Sequence, residues 1–174
     1  MSGLKRTKIV ERIIAKLDLK PLPDEGGYYR ETYHSPIKVP LPFGNGGAEA
    51  PRELGTAIFY LITPTEFSAL HKLKSDEIFH FYLGDPVEML QISESGESGK
   101  IILGPDILAG QQVQALVPAG VWQGTRLVDG GGYALLGTTV IPGFDFADFV
   151  LGDKHDLSFR FPKLANEIAR YTRN

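Results

Sequence analysis

Between residues 27 and 161, short runs of β-branched and aromatic residues alternate with clusters of Gly, Pro, Asp and Asn. This rhythm predicts an all-β sandwich or barrel. The candidate strands are Gly27–Tyr33, Thr56–Ile62, Ala69–Leu73, Glu77–Leu83, Val87–Ile92, Gly99–Ile102, Gln112–Val117, Gly124–Leu127, Tyr133–Val140 and Leu157–Phe161. Turn signals separate them, among them Gly84-Asp85-Pro86 and Pro118-Ala119-Gly120. The stretch from Pro36 to Pro51, with four prolines and three glycines, cannot be a central strand and reads as a long loop at the mouth of the barrel.

Before the β-rich stretch, Ile9, Val10, Ile13, Ile14 and Leu17 recur at helical spacing with charged residues between them. This predicts one amphipathic helix, stopped near Pro21 and Pro23 and serving as a cap on the core. Lys163–Arg173 reads as a short terminal helix. The 174 residues are therefore read as one domain over 1–174, with a helix over about 5–18, a barrel over about 26–162 and a tail over 163–174.

A hydrophobic fraction of 43% and a charged fraction of 22% are ordinary for a globular chain, and a net charge of -3 points to no nucleic-acid partner. Cysteine is absent, which removes disulfides, thiolate metal sites and a cysteine nucleophile, and suits a reducing compartment. The N-terminal residues mix charges through their apolar positions, unlike a signal peptide, and no apolar run reaches the roughly 18 residues of a membrane span. The expectation is a soluble cytoplasmic protein with no membrane partner.

Three stretches carry candidate chemistry. In HKLKSDEIFHFYLG, His71 to Gly84, strand alternation puts Glu77, Phe79 and Phe81 on one face and Ile78, His80 and Tyr82 on the other. His71, on the preceding strand, can face Glu77 across the sheet, as a buried pair or as an acid/base or metal site. His80 and Tyr82 join such a site only if strand geometry turns them inward, and they are candidate substrate-binding residues on that condition. In GQQVQALVPAGVWQGTRL, Gly110 to Leu127, the Pro-Ala-Gly turn fixes the register of the next strand and aims Gln123 at a defined point; Trp122 is either core packing or a stacking surface for a flat ligand. In DEGGYYRETY, Asp24 to Tyr33, the Gly-Gly pair permits positive φ, and Arg30 either grips a carboxylate or phosphate or pairs at the surface with Glu31 or Glu25. Lys74 belongs to a solvated turn or supplies a cation to the site.

Together these stretches resemble the cupin superfamily. His71, Glu77 and Gly84 fall at the spacing of the first cupin motif, with Leu73 where its second histidine stands; Pro118 and Gly120 match the second motif, with Gln123 in place of its histidine. Closer still is the similarity to a cupin-type family of unknown function. It is carried by Phe67 to His71, Ser75 to Asp85, Val117 to Gln123 and Pro142 to Phe149, and covers the chain from about Lys8 to Phe161. Members of that family are often labelled sugar epimerases by similarity to the dTDP-4-dehydro-sugar epimerases. DEGGYYRETY resembles the epimerases' Asp-x-Arg-Gly stretch, with Gly26 replacing the arginine, and ALHKLK resembles the segment that carries their base, which places His71 at that position.

The resemblance implies a double-stranded β-helix barrel, usually a homodimer, with its ligand inside the barrel among His71, Glu77, Gln123 and aromatic side chains. Three functions follow as expectations. The first is metal-free proton transfer on a keto-sugar or sugar nucleotide, with His71 as base, Glu77 orienting it, and Lys74 and Arg30 stabilising an enolate or holding an anionic group. The second is a weakly bound divalent metal ion on His71, Glu77 and Gln123, with His80 as a further ligand, for oxygenase or isomerase chemistry. The third is binding without chemistry, with a small polar metabolite held by Gln123, Arg30, Glu77 and the aromatics.

Overall fold

A computed structural model describes residues 3–40 and 51–173 of the chain. Helix α1 (Gly3–Leu17) is followed by strands β1 (Lys20–Pro21), β2 (Tyr28–His34), β3 (Lys38–Val39), β4 (Arg52–Glu53), β5 (Thr56–Ile62), β6 (Ser68–Lys72), β7 (Asp76–Gly84), β8 (Val87–Ile92) and β9 (Ser98–Leu103). Then come β10 (Gln114–Val117), β11 (Trp122–Leu127), β12 (Ala134–Ile141) and β13 (Val150–Leu151), and helices α2 (Lys154–Arg160) and α3 (Ala165–Tyr171). A six-stranded antiparallel sheet in the order β1-β2-β5-β12-β7-β10 faces a five-stranded one in the order β13-β6-β11-β8-β9. This is the all-β jelly-roll expected, with its N-terminal and short C-terminal helices. Among the described residues no helix is long and apolar enough to cross a membrane.

Period-two alternation divides each strand between layers. The side chains of Tyr60, Phe79, Met89, Leu103 and Leu136 meet between the sheets as the main core. The opposite faces are closed by helices. Ile13, Ile14 and Leu17 of α1 pack on Leu61 and Leu135, while Leu157, Phe161, Ile168 and Tyr171 of the C-terminal helices cover Leu70, Leu90, Ile92 and Trp122.

The sequence reading needs correction at Leu157–Phe161, which is helical. Asp153 caps α2 by accepting the amide of Asp156 at 2.9 Å, and Leu157 and Phe161 are buried together one helical turn apart. A half-buried strand would have buried Phe159 with them, yet that ring is 91% exposed. The expected proline-rich loop is interrupted by a two-stranded ladder pairing Lys38 with Glu53 and Val39 with Arg52, and its residues 41–50 lie outside the described residues. Strand β11 begins two residues before the expected strand and so takes in Trp122 and Gln123.

The segment between β12 and β13 is tied down by a buried ion pair. Arg52 donates from Nε to Oδ2 of Asp148 at 2.7 Å and from Nη2 to Oδ1 at 3.1 Å, and Lys74 approaches Asp148 to 3.4 Å. Burial alone raises the Asp148 pKa, but the bonds and charges of Arg52 and Lys74 outweigh it and leave the carboxyl below its ordinary value. The sign is that of a depressed acid, so the pair's stabilisation is full above the unfolded carboxyl's pKa and is lost as pH falls through the lower folded value. Replacing Asp148 by Ala leaves the Arg52 guanidinium buried without its main partner, an expected loss of about 3–5 kcal/mol in urea unfolding at neutral pH. A loss below about 1 kcal/mol would mean that Asp145, 3.7 Å from Arg52, takes over the charge.

Candidate functional site

Inward-facing residues at one end of the barrel enclose a cavity of about 270 Å³. Its polar wall comes from His71 on β6, Glu77 on β7, Tyr60 on β5, Thr138 on β12 and Glu25 in the turn before β2; Leu22, Leu73, Ile58, Val140, Phe144 and Phe146 supply the apolar remainder. The Asp24 to Gly27 turn explains how Glu25 arrives there. Gly26 and Gly27 have φ of +94° and +75°, and a Cβ on Gly27 would lie 2.7 Å from the Tyr60 ring, so only glycine lets the turn sit this close. The Tyr60 hydroxyl donates to the Gly26 carbonyl at 2.8 Å and Ser68 donates to Glu25 at 2.7 Å, which locks the turn onto both sheets.

His71 and Gln123 are direct cross-strand partners in β6 and β11. The ring Nδ1 of His71 lies 2.8 Å from the Ala69 carbonyl, which can only accept, so Nδ1 carries the proton and Nε2 presents a lone pair. Gln123 donates to that Nε2 at 3.0 Å, and its own oxygen accepts from the Thr125 hydroxyl at 3.1 Å. This chain of bonds fixes the orientation of the imidazole, with the Phe149 ring 5.0 Å away.

Glu77 contrasts with it. It is only 7% exposed; its Oε2 has no hydrogen-bond partner among the described residues and lies 3.9 Å from His71 Nε2. Burial raises its pKa, the charge of His71 lowers it, the charge of Glu25 raises it and a bond from Thr138 lowers it, for a net value of about 7. The cavity thus holds a carboxyl that can give or take a proton near neutral pH, beside a histidine whose lone pair is already occupied.

The other residues expected in the site lie elsewhere. Arg30 is on the outer face of β2, its guanidinium 5.5 Å from the Phe59 ring centroid, because alternation turns Tyr29 and Glu31 inward instead. His80 faces outward with Ile78; it bonds to Thr139 at 3.2 Å and Gln114 at 3.2 Å, and burial lowers its pKa. Tyr82 lies on the same outer face, stacked on His80 and against Gly137. Trp122 packs under the C-terminal helices, with Lys72 rather than a flat ligand over its ring at 4.8 Å. Lys74 is engaged at Asp148. The structure therefore brings together His71, Glu77 and Gln123, and leaves Arg30, Lys74, His80, Tyr82 and Trp122 outside the cavity.

The donors do not fit the metal implied by the cupin resemblance. Among the described residues no three His, Cys, Asp or Glu side chains are arranged to hold an ion. Leu73 puts hydrocarbon where a second imidazole would stand, and Gln123 points its amide N–H at His71, occupying the lone pair that a metal would need. His71, Glu77 and Gln123 make a hydrogen-bonding set, and His80 is on the wrong side of its sheet to add a ligand.

Residues not singled out for the site from the sequence include Tyr29 and Tyr60, along with Phe144 and Phe146 from the segment ahead of β13. Their signal was present in the stretches quoted above. Glycines beside an acid mark the turn that carries Glu25, and the closely spaced aromatics from Pro142 to Phe149 mark a segment that covers a pocket.

Comparison with known proteins agrees with this architecture. The sequence pattern of the family described as cupin superfamily (DUF985) matches residues 11–152. The chain is 30% identical over 156 residues to an uncharacterised protein of Saccharomyces cerevisiae, YML079W, covering 83% of this chain and 77% of that one. A hypothetical protein from Leishmania major superimposes with a TM-score of 0.86 at 31% identity, covering 94% of this chain and 98% of that one. Protein SO0799 from Shewanella oneidensis superimposes with a TM-score of 0.81 at 32% identity, covering 94% and 96%.

The position of Glu77 has a signature in stability. Its folded pKa lies above the ordinary carboxyl value of 4.5, so between 4.5 and about 7 the folded protein binds more protons than the unfolded chain and stability falls as pH rises. Glu77→Gln should remove that slope, which amounts to about 3 kcal/mol across the window. Urea unfolding at pH values spanning 4.5 to 7 measures it; an unchanged slope would place the titration elsewhere.

Proposed function

The chain belongs to the DUF985 family of the cupin superfamily, and from that footing we propose that its barrel binds a small sugar-like metabolite and moves a proton at the carbon beside the ligand's carbonyl. Keto-sugar epimerisation or isomerisation is the reaction class that such a transfer serves. The observation that carries this reading is Glu77, buried, without a hydrogen-bond partner at Oε2, and titrating near neutrality inside an otherwise largely apolar cavity.

The proton is assigned to Glu77 rather than to His71, the base expected from the resemblance. In its ionised form Oε2 takes the proton from carbon while the C–H electron pair moves toward the carbonyl oxygen. Return of the proton to the same or the neighbouring carbon restores a carbonyl compound. His71 Nε2 is engaged by Gln123, so its role is that of a positioning residue: 3.9 Å from Oε2, it tunes the acidity of Glu77 without leaving its own bonds. The apolar walls keep water from competing for the proton, and Phe144 and Phe146 give the hydrocarbon face of a sugar ring a surface to rest on.

The occupied lone pair of His71 also favours a second reading, in which the cavity binds its ligand and performs no chemistry. Exchange of carbon-bound hydrogen for solvent deuterium in unphosphorylated ketoses, followed by NMR, separates the two. Proton transfer gives exchange that rises with pH through about 7, as Glu77 ionises. Glu77→Gln should reduce it by roughly 10²–10⁴-fold. His71→Ala should shift the pH profile more than it lowers the limiting rate. A ketose that binds and shows no exchange would leave the binding function alone.

A further inference from the structure

Charge is distributed unevenly around this cavity. Three carboxylates line it, Glu25, Glu31 and Glu77, and among the described lining residues there is no lysine or arginine. Each basic residue expected to serve the site is committed elsewhere: Arg30 lies over Phe59 on the outer face, and Lys74, like Arg52, is held at Asp148. His71, the remaining basic residue in the wall, has both ring nitrogens engaged, one at the Ala69 carbonyl and one at Gln123. An anionic ligand entering here would meet the carboxyls of Glu25 and Glu77, while Glu31 is half-exposed and paired with His34 at 3.2 Å.

The acidic cluster is accompanied by a second, independent feature. Oε2 of Glu77 is buried and has no hydrogen-bond donor among the described residues, and a buried carboxylate oxygen without a donor is costly unless a ligand supplies one. Around it stand the rings of Tyr29, Tyr60, Phe144 and Phe146, whose π faces attract a cation and shield it from water. A carboxylate lacking a donor within an aromatic wall is complementary to an ammonium group.

We infer that the ligand of this cavity carries a cationic amino group on a compact polar body, the chemical class of a small amino sugar. The inference rests on the proposed reading of the cavity as a sugar-like site and narrows its substrate. The ammonium donates to Glu77, Glu25 and Glu31 extend the negative field toward the mouth, and the phosphate groups of sugar nucleotides are disfavoured. The groups facing Glu77 are His71 from β6, Tyr60 from β5, Thr138 and Val140 from β12, Val117 from β10 and Glu25 from the turn before β2, and none of them offers a fixed positive charge that would replace the ligand's. Binding of a cation favours ionised Glu77, so it releases protons and tightens as pH rises through the carboxyl's titration; a neutral ligand accepting a bond from the protonated carboxyl shows the opposite slope.

Isothermal titration calorimetry of the full chain tests this with D-glucosamine, D-glucose, D-glucose 6-phosphate and choline. Glucosamine is expected to bind at least ~10-fold more tightly than glucose at neutral pH, and glucose 6-phosphate more weakly than either. Glu77→Gln should bring glucosamine and glucose to within about threefold of each other, and Glu25→Gln provides the same comparison should the first variant fail to fold. Glucose binding as tightly as glucosamine overturns the inference and leaves the sugar-like cavity standing, as does tightest binding of glucose 6-phosphate. Choline binding with no affinity for any sugar upholds the cation and overturns the sugar-like reading. Absence of binding by both ammonium compounds overturns the inference.

Discussion

The composition of the cavity wall depends on the register in which β12 lies between β5 and β7. Val140 sits opposite Glu77 on one side and Thr56 on the other, and Thr138 opposite Phe79 and Ile58. Side chains alternate with period two, so a slip of β12 by one residue would send Thr138 to the outer face and bring Thr139 inward, and a slip of β7 would exchange Glu77 for the face of His80. The register is pinned by apolar residues that gain only in one alignment: Leu136 inward against Phe79, and Leu135 outward under α1. The same burial that stabilises the sheet also places the acid.

That placement creates an electrostatic imbalance. A buried carboxyl is tolerated here because it can remain protonated, and the neighbouring imidazole is held in place by three successive bonds, from Ala69 through His71 and Gln123 to Thr125. Exchanging one hydrogen-bonding partner for another, as Gln123 does where the wider superfamily has a histidine, turns a place for a metal into a fixed tautomer. The cavity then holds, in Glu77, a buried carboxyl that burial pushes up toward neutrality.

Much of this was legible in the sequence. Strand alternation alone separated Glu77 from His80, and the spacing of His71, Glu77, Pro118 and Gly120 located both sides of the site. Arg30 was misleading because its residue type suggests anion binding, whereas its parity on β2, read with Tyr29 and Glu31, puts it outside. The helix at Leu157–Phe161 was missed because five residues with alternating apolar side chains fit either period, and the Asp153 cap that decides between them lies outside the run. Glu25 and Tyr60 could be paired only by the fold, since their contact runs through a turn whose glycines permit a close approach without naming the neighbour.

The stretch from Phe144 to Leu151 has two structural duties in one short length of chain. Its first rings wall the cavity, Phe149 covers the imidazole, and two residues later Leu151 pairs with His71 along the edge of β6. The shape of the pocket and the setting of its histidine are therefore inherited together. A lineage that remodels this segment to admit a larger ligand also disturbs the acid/base pair, whereas changes at Tyr29 on the opposite wall leave that pair alone. Ligand range in such a barrel should diversify first from the side of β2.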